Sequence, residues 1–139
     1  MKEKVFLSWQ WVDKQIATLT SHVSDSVSEL RYVTGIPRGG LIPGAYLSHS
    51  LGLKYIQFEE AKNLPANLRA QVLVVDDICD SGYTLLETME FGFKTATLSL
   101  RYSSPFIPDF YGEKIKDDRW LVFPWEKIDS ETIQGYLAQ

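Results

Sequence analysis

A short apolar run that ends in two adjacent acids constrains the fold of this chain most strongly. Four consecutive aliphatic residues, Val72 to Val75, lead directly into Asp76 and Asp77. A run this short is typical of a buried parallel strand. Two neighbouring anions there raise the electrostatic energy unless a cation or hydroxyl donors compensate. Because ligands of open α/β sheets bind at the carboxyl ends of strands, we predict a ligand site here, with the strand broken over residues 76–82.

The residues that follow suit the binding of a phosphate group. Asp80 to Thr84 supply two hydroxyls, a glycine and several backbone N–H groups where a helix is expected to begin. Backbone donors and the positive end of a helix attract anions. The alternative is a turn at the paired acids, with Asp80 or Ser81 capping the helix. A P-loop and a GxGxxG motif are both excluded, because neither pattern occurs in the sequence.

Periodicity along the chain predicts an α/β fold with a mostly parallel central sheet flanked by helices. Helices are expected over 9–23 and 41–51, the latter ending at Gly52, and around Leu85 to Phe93. A connection is expected over 24–28, a loop over 59–70, and a short helix from Ser130. Strands are expected over 31–36, 53–58, 72–75, 95–100 and 120–123. At 139 residues the chain is expected to form one domain, 1–139.

Composition excludes several classes of protein. A net charge of −4 argues against a broad nucleic-acid surface. No apolar stretch approaches the ~18 residues of a membrane span, and residues 1–4 do not begin a signal peptide. Cys79 is the only cysteine and cannot form an internal disulfide, while His22 and His49 lack the spacing of a zinc site. We therefore expect a cytoplasmic protein with no membrane span and no nucleic-acid partner.

Two further segments carry candidate binding groups. Residues 35–40 place Arg38 in a glycine turn after a predicted strand, and exposed N–H groups with a guanidinium suit a pyrophosphate. The alternative is a strand-to-helix turn with a surface arginine. Trp120, in a predicted strand, is able to stack on a flat heterocycle, although core packing is the default for any one tryptophan.

Val74 to Thr84 resembles the phosphoribosyl-pyrophosphate (PRPP) motif of the type I phosphoribosyltransferases. Every fixed position of that motif, two apolar residues, Asp-Asp/Glu, two apolar residues and Asp-Thr/Ser-Gly-x-Thr, is filled here. The resemblance implies that Asp76 and Asp77 bind the ribose hydroxyls and, directly or through water, Mg²⁺, with Asp77 as the metal residue. It assigns the 5′-phosphate to the last five residues of the motif, Asp80, Ser81, Gly82, Tyr83 and Thr84, and further PRPP contacts to Ile78 and Cys79. Cys79 itself is interpreted as a small buried apolar residue.

The other two segments resemble the bacterial xanthine–guanine members of that family. Arg38 to Ala45 matches their pyrophosphate loop, which assigns residues 37–39, with Arg38 and Gly39, to pyrophosphate. Residues 118–126 match their Asp-x-Trp-apolar-x-x-Pro-Trp-Asp/Glu pattern. That match implies that Trp120 stacks on the purine and the backbone of Leu121 reads an exocyclic group, while Pro124 and Trp125 are structural.

Arg101 follows the predicted strand 95–100, where those enzymes place a lysine that contacts the purine 6-oxo group. Arginine keeps the charge but changes reach and geometry. The alternative is a surface arginine that leads into a turn.

The resemblance covers about residues 5–128 and implies a purine phosphoribosyltransferase of purine salvage. Such an enzyme transfers the 5-phosphoribosyl group from PRPP to a 6-oxopurine (xanthine, guanine or hypoxanthine) and releases pyrophosphate. Arg38 and Asp80 would be the catalytic residues, with Asp80 in contact with purine N7. The cofactor would be Mg²⁺, and the protein would form a homo-oligomer. One rival is a regulator that senses PRPP or a nucleotide without catalysis. Another is a phosphoribosyltransferase for uracil, adenine or orotate, which residues 120–125 disfavour.

The sequence departs from the 6-oxopurine enzymes between the second and third predicted strands. Those enzymes carry a long mobile loop there that closes over the site and excludes water. Here only residues 59–70 separate the strands, and Lys62 or Arg69 is the candidate to reach a phosphate from them.

Overall fold

Parallel strands form the centre of the molecule in this computed structural model, which describes residues 3–26 and 29–127. Five strands form one parallel sheet in the order β3-β2-β4-β5-β6, and β1 pairs in parallel with β7 in a separate sheet. The strands are β1 (Lys4–Phe6), β2 (Tyr32–Gly35), β3 (Lys54–Tyr55), β4 (Val72–Cys79), β5 (Lys94–Arg101), β6 (Phe110–Ile115) and β7 (Trp120–Val122). The predicted α/β class with a parallel sheet is confirmed.

Helices cover the central sheet and bury an apolar core against it. They are α1 (Trp9–Ser26), α2 (Leu41–Leu51), α3 (Phe58–Lys62), α4 (Ala66–Arg69) and α5 (Tyr83–Met89). One core cluster joins α1 and α2 to the sheet and contains Val12, Leu47 and Leu98. The other joins α3 and α5 to the sheet and contains Ala61 and Leu85. In the described residues no helix is both long and apolar enough to span a membrane.

The helices α1 and α2 agree largely with the periodicity of the sequence. Helix α1 begins at Trp9 as expected but continues to Ser26, so the predicted connection from Ser24 is wrong over its first three residues. No proline or glycine interrupts those polar residues, and the helix can therefore add another turn. Helix α2 ends as predicted, with Gly52 at a φ of 69°.

Strand β4 is longer than predicted. It continues through both acids to Cys79, because its pairing with β5 extends from Leu73 to Cys79. The predicted break over residues 76–82 is therefore wrong up to Cys79. Helix α5 ends at Met89, and Phe93 lies beyond it with its side chain buried.

Residues 59–70 do not form the predicted loop. They contain most of α3 and all of α4, which together lead the chain from β3 back to the start of β4. Arg69 fixes this connection, since its Nε donates to the carbonyl of Phe91 at 2.8 Å and its Nη1 to that of Leu64 at 2.8 Å. The sequence lacks a clear period here because each helix is only about one turn long.

Other boundaries also differ. Only Lys54–Tyr55 of the predicted strand 53–58 is a strand, and Phe58 begins α3. Strands β1 and β6 were not predicted, because β1 is three residues long and β6 (Phe-Tyr-Gly-Glu-Lys-Ile) shows neither an alternating pattern nor a continuous apolar run. Strand β7 was predicted, but it pairs with β1 and not with the central sheet. The helix predicted from Ser130 lies outside the described residues.

Candidate functional site

The two adjacent acids lie on β4, close to the carboxyl edge of the central sheet. Asp77 is 9% exposed, and Asp76 is half-buried. The N–H of Asp77 donates to Oδ1 of Asp76 at 2.9 Å, and the N–H of Ile78 donates to Oδ1 of Asp77 at 2.8 Å. Each carboxylate is thus fixed by the backbone of its own strand.

Burial makes the ionised forms of both acids unfavourable. Loss of solvation raises the pKa of Asp76 well above its ordinary value, and the charge of Asp77 raises it further. Burial also raises the pKa of Asp77 to about 6, and the charge of Glu126 adds to this. Among the described residues no arginine, lysine or histidine forms an ion pair with either acid. The pair is therefore a site of uncompensated negative charge that favours a cationic ligand.

The glycine turn after β2 packs directly on the second of these acids. A Cβ atom at Gly39 would lie 2.6 Å from Cγ of Asp77, so only glycine fits there without displacing the carboxyl group. The adjacent Arg38 is exposed. The structure therefore brings together the predicted pyrophosphate loop and the predicted ribose and metal acids, which are almost 40 residues apart in the sequence.

The segment between β4 and α5 contains a second glycine that cannot be replaced easily. Gly82 has a φ of 85°, and a Cβ atom there would lie 2.5 Å from Cβ of Phe106. Gly82 is also the residue that caps α5, with no side-chain capping bond. The hydroxyl of Ser81 accepts a hydrogen bond at 3.3 Å from the N–H of Tyr83, the first residue of α5, so Ser81 satisfies one donor of this helix end as the capping alternative expects, whereas the carboxylate of Asp80 pairs with Arg101.

The remaining residues of the motif differ in accessibility. Ile78 and Cys79 are buried, one in each core cluster, so their side chains are not available to a ligand. Tyr83 is 59% exposed, and Thr84 is half-buried. Any contact of PRPP with residues 78 and 79 would therefore use the backbone.

Arg101 is a buried residue, so the surface alternative is wrong. It is 8% exposed, and its Nε lies 3.5 Å from Oδ1 of Asp80. Its Nη1 donates to the backbone carbonyl of Asp117 at 2.8 Å. The guanidinium therefore links the predicted 5′-phosphate loop to the turn that precedes β7.

The predicted purine residues lie on β7, which β1 holds in place. The N–H of Trp120 donates to the carbonyl of Glu3 at 2.8 Å. Leu121 is buried, and Nε1 of Trp120 is a buried donor that has no partner among the described residues. Trp125 stacks on Phe123 with ring centroids 5.2 Å apart, which agrees with its structural interpretation.

Two contributors were not identified from the sequence. The negative charge of Glu126 raises the pKa of Asp77, and Oε1 of Glu126 accepts a hydrogen bond from the N–H of Phe123 at 2.8 Å. The acid after Pro124-Trp125 was the available signal. Phe106 packs against Gly82 from the connection between β5 and β6, and no local pattern marks that contact.

The two cations of the β3–β4 connection have other roles. Nζ of Lys62 lies 4.9 Å from the centroid of the Phe58 ring and 2.6 Å from a carboxylate oxygen of Glu59. Both bonds of Arg69 described above are to backbone carbonyls. Neither side chain is placed to meet a phosphate.

The described residues also contain no group of three or more histidine, cysteine, aspartate or glutamate side chains that would hold a metal ion by themselves.

Solved structures similar to this chain include several phosphoribosyltransferases. No protein-family model matches the sequence. A purine phosphoribosyltransferase from Pyrococcus horikoshii is similar, with 29% identity, a TM-score of 0.69 and coverage of 94% of this chain and 98% of that one. The xanthine–guanine–hypoxanthine phosphoribosyltransferase of Helicobacter pylori has 23% identity and a TM-score of 0.72, over 89% of this chain and 94% of that one.

A third similar structure is a hypothetical protein from Neisseria gonorrhoeae with bound ppGpp. It has 21% identity and a TM-score of 0.73, over 93% of this chain and 92% of that one.

Together with the geometry above, these similarities show that the chain has the fold of the type I phosphoribosyltransferases. Its resemblance to the bacterial purine enzymes of that class is confirmed.

The raised pKa values predict a stability that falls with increasing pH. A carboxyl whose pKa is higher in the folded state contributes stability below its ordinary pKa near 3.8, and this contribution is lost as the pH rises through about 6. Asp76→Asn removes one of the ionising groups and keeps an oxygen acceptor. We expect the variant to lose less free energy of unfolding than the wild type between pH 4.5 and 7.5, as measured by urea denaturation. The exposed Asp118→Asn is the control, and equal losses in all three proteins would contradict the electrostatic interpretation.

Gly82 and Gly92 form a matched pair that isolates the contact with Phe106. Both have a φ of 85°, but a Cβ atom at Gly92 would meet nothing within 4 Å. We expect Gly92→Ala to cost about 1 kcal/mol in free energy of unfolding from backbone strain alone. Gly82→Ala should cost roughly 1–3 kcal/mol more because it also overpacks against Phe106. Equal costs in urea denaturation would show that the contact is unimportant.

Proposed function

We propose that the chain is a purine phosphoribosyltransferase that transfers the 5-phosphoribosyl group from PRPP to N9 of a 6-oxopurine and releases pyrophosphate. The observation that carries this proposal is the packing of Gly39 against Asp77. It joins an arginine-bearing glycine turn to a buried acid pair at one edge of the sheet. The similarity to the Pyrococcus horikoshii enzyme, at 29% identity over nearly the whole of both chains, supports the same activity.

The chemistry of PRPP matches the groups at this edge. The ribose hydroxyls are donors, and Asp76 and Asp77 are acceptors that form no ion pair with a cation in residues 3–26 and 29–127. The 5′-phosphate is assigned to residues 80–84, where Gly82 lets the backbone turn closely. Arg38, which precedes Gly39 in the chain, is exposed, and its guanidinium is able to bind two pyrophosphate oxygens at once.

The acid pair also fits a magnesium ion. Mg²⁺ prefers oxygen ligands and is commonly held by one or two carboxylates, with waters and substrate phosphates completing its shell. Asp77, aided by Asp76, would supply the protein ligands. A bound Mg²⁺ neutralises charge on the pyrophosphate, which makes it a better leaving group.

Recognition of the base is assigned to Trp120, Leu121 and Arg101. Trp120 would stack on the purine, and the backbone of Leu121 would contact an exocyclic group. Arg101 carries only hydrogen-bond donors, so it pairs with a 6-oxo acceptor and not with the 6-amino group of adenine. This donor-only character favours guanine, hypoxanthine or xanthine as the substrate.

In the transfer step the bond from ribose C1 to pyrophosphate breaks as the bond to purine N9 forms. Positive charge develops on the ribose, and negative charge develops on the departing pyrophosphate, where Arg38 stabilises it. Asp80, which pairs with Arg101 at the base side of the loop, acts on the N7 proton of the purine as general acid or base.

The proposed setting is purine salvage in the cytoplasm by a homo-oligomer. Support for self-association comes from α2, which contains no aspartate, glutamate, lysine or arginine and exposes large apolar side chains. Leu41 is 41% exposed and Ile42 is 40% exposed. Large apolar side chains exposed together on a surface often mark an interface with another protein molecule.

A nucleotide-binding regulator without transfer activity is the second candidate. It is favoured by the bound ppGpp in the similar Neisseria gonorrhoeae protein and by the short β3–β4 connection, which Arg69 holds in place. A connection used in this way does not serve as the long closing loop of the 6-oxopurine enzymes. Such a regulator would bind PRPP or a nucleotide and release no pyrophosphate.

One assay separates the candidates. The protein is mixed with PRPP and Mg²⁺ and, in turn, with guanine, xanthine, hypoxanthine, adenine, uracil and orotate, and pyrophosphate release is followed. We expect release with one or more 6-oxopurines and none above the base-free rate with the other three. Binding of PRPP without release for any base would support the regulator, and release only with adenine, uracil or orotate would contradict the purine assignment.

Asp80→Asn tests the proposed acid–base residue. Loss of the carboxylate should reduce the rate of nucleotide formation by about 10²- to 10⁴-fold, the range typical of general acid–base catalysis. PRPP affinity should survive, because the other residues of the loop are unchanged. Glu87→Gln, an exposed charge change on α5, is the control. Full turnover by Asp80→Asn would remove Asp80 from this role.

A further inference from the structure

The turn before β7 is closed by its own side chains. Oδ1 of Asp117 accepts the N–H of Arg119 at 3.0 Å, and Oδ2 accepts Nε and Nη2 of Arg119, each at 2.9 Å. An aspartate that accepts the N–H two residues later fixes a backbone turn, and the guanidinium adds two charge-assisted bonds. The Asp117 side chain therefore determines the conformation of residues 117–119.

This turn presents one carbonyl group to a buried cation. The carbonyl of Asp117 accepts Nη1 of Arg101 at 2.8 Å, on the side of the guanidinium away from its contact with Asp80. Because Arg101 is 8% exposed, few other orientations are open to it. The position of that carbonyl therefore sets the direction of the remaining Arg101 donors.

The same turn also leads directly into the strand that carries Trp120. The N–H of Trp120 donates to the carbonyl of Glu3, and Nη1 of Arg119 lies 4.0 Å from Oε1 of Glu3. Residues 117–119 thus connect Arg101 on β5 with Trp120 on β7, the two side chains that the proposed function assigns to the base.

We propose that Asp117 is a positioning residue for base recognition, which fixes the turn that orients Arg101 and Trp120 and so sets the preference for 6-oxopurines over 6-aminopurines. This inference rests on the proposed function and assigns a role to a side chain that touches no substrate. A purely structural role would change the stability of the fold when Asp117 is substituted, whereas a positioning role changes the recognition of the base. The Asp117 and Arg119 side chains are each 43% exposed, and an ion pair so exposed contributes little to global stability.

The test compares Asp117→Asn with Asp118→Asn. Both substitutions remove one negative charge from neighbouring exposed positions, but within the described residues the Asp118 side chain makes no hydrogen bond or ion pair. Asn at position 117 keeps an acceptor for the Arg119 N–H and weakens the two bonds to its guanidinium. We expect the KM for guanine or hypoxanthine to rise about five- to tenfold in Asp117→Asn, with the KM for PRPP and kcat unchanged. The ratio of kcat/KM for hypoxanthine over adenine should fall by a similar factor.

A spectroscopic measurement tests the positioning without relying on activity. The Nε–H resonance of Arg101 is observed by ¹H–¹⁵N NMR and assigned by its absence in Arg101→Lys. We expect this resonance to shift or broaden in Asp117→Asn and to be unchanged in Asp118→Asn. Lack of pyrophosphate release by the wild type would refute the proposed function, whereas the NMR comparison would still report on the turn.

Three results would overturn the inference. One is an unchanged Arg101 resonance in Asp117→Asn. Another is an equal rise of KM for PRPP and for the base, which would indicate a general disturbance of the fold. The third is the same behaviour in Asp118→Asn, which would indicate a simple effect of net charge.

Discussion

The contact between Gly39 and the carboxyl group of Asp77 is the constraint on which the site depends. It sets the turn after β2 directly on β4, so a side chain at position 39 would displace either the turn or the acid. Because β2 and β4 are adjacent parallel strands, both segments meet at the same edge of the sheet. The same turn carries the exposed Arg38, and no cation among the described residues forms an ion pair with either acid. We propose that the turn binds an anionic group and the acid pair a cation, which is what a phosphorylated sugar with a metal ion requires.

The charges of the site are divided between two regions. Asp77 is buried and Asp76 half-buried, neither has a cationic partner among the described residues, and loss of solvation raises the pKa of both. Asp80, four residues after Asp76, instead faces the guanidinium of Arg101. Asp76 and Asp77 therefore favour an incoming cation, whereas Asp80 is already held by Arg101, the residue that we assign to the base. This separation agrees with a substrate whose phosphates and base are recognised by different elements.

Local sequence patterns were sufficient for the parallel sheet, and the motif resemblance supplied the candidate site residues, which stay a prediction. The apolar run at 72–75 is visible without coordinates because it acts locally, and the glycines at 39 and 82 are visible as fixed positions of turns, although their contacts with Asp77 and Phe106 are not. The burial of Arg101 and the contact of Phe106 with Gly82 depend on segments brought together only by the fold. Helices α3 and α4 are too short to show a period, and β1 owes its existence to pairing with β7. Such features could not be predicted from one sequence.

Titration calorimetry with PRPP tests the central claim most directly. The wild type is compared with Asp77→Asn, in Mg²⁺ and in EDTA, without any base. If the acid pair and the Arg38 turn form one PRPP site, the wild type binds PRPP in Mg²⁺ and binds much more weakly in EDTA. Asp77→Asn should then lose most of the effect of Mg²⁺. No binding of PRPP by the folded wild type, or binding that is the same in both proteins and both conditions, would contradict the account.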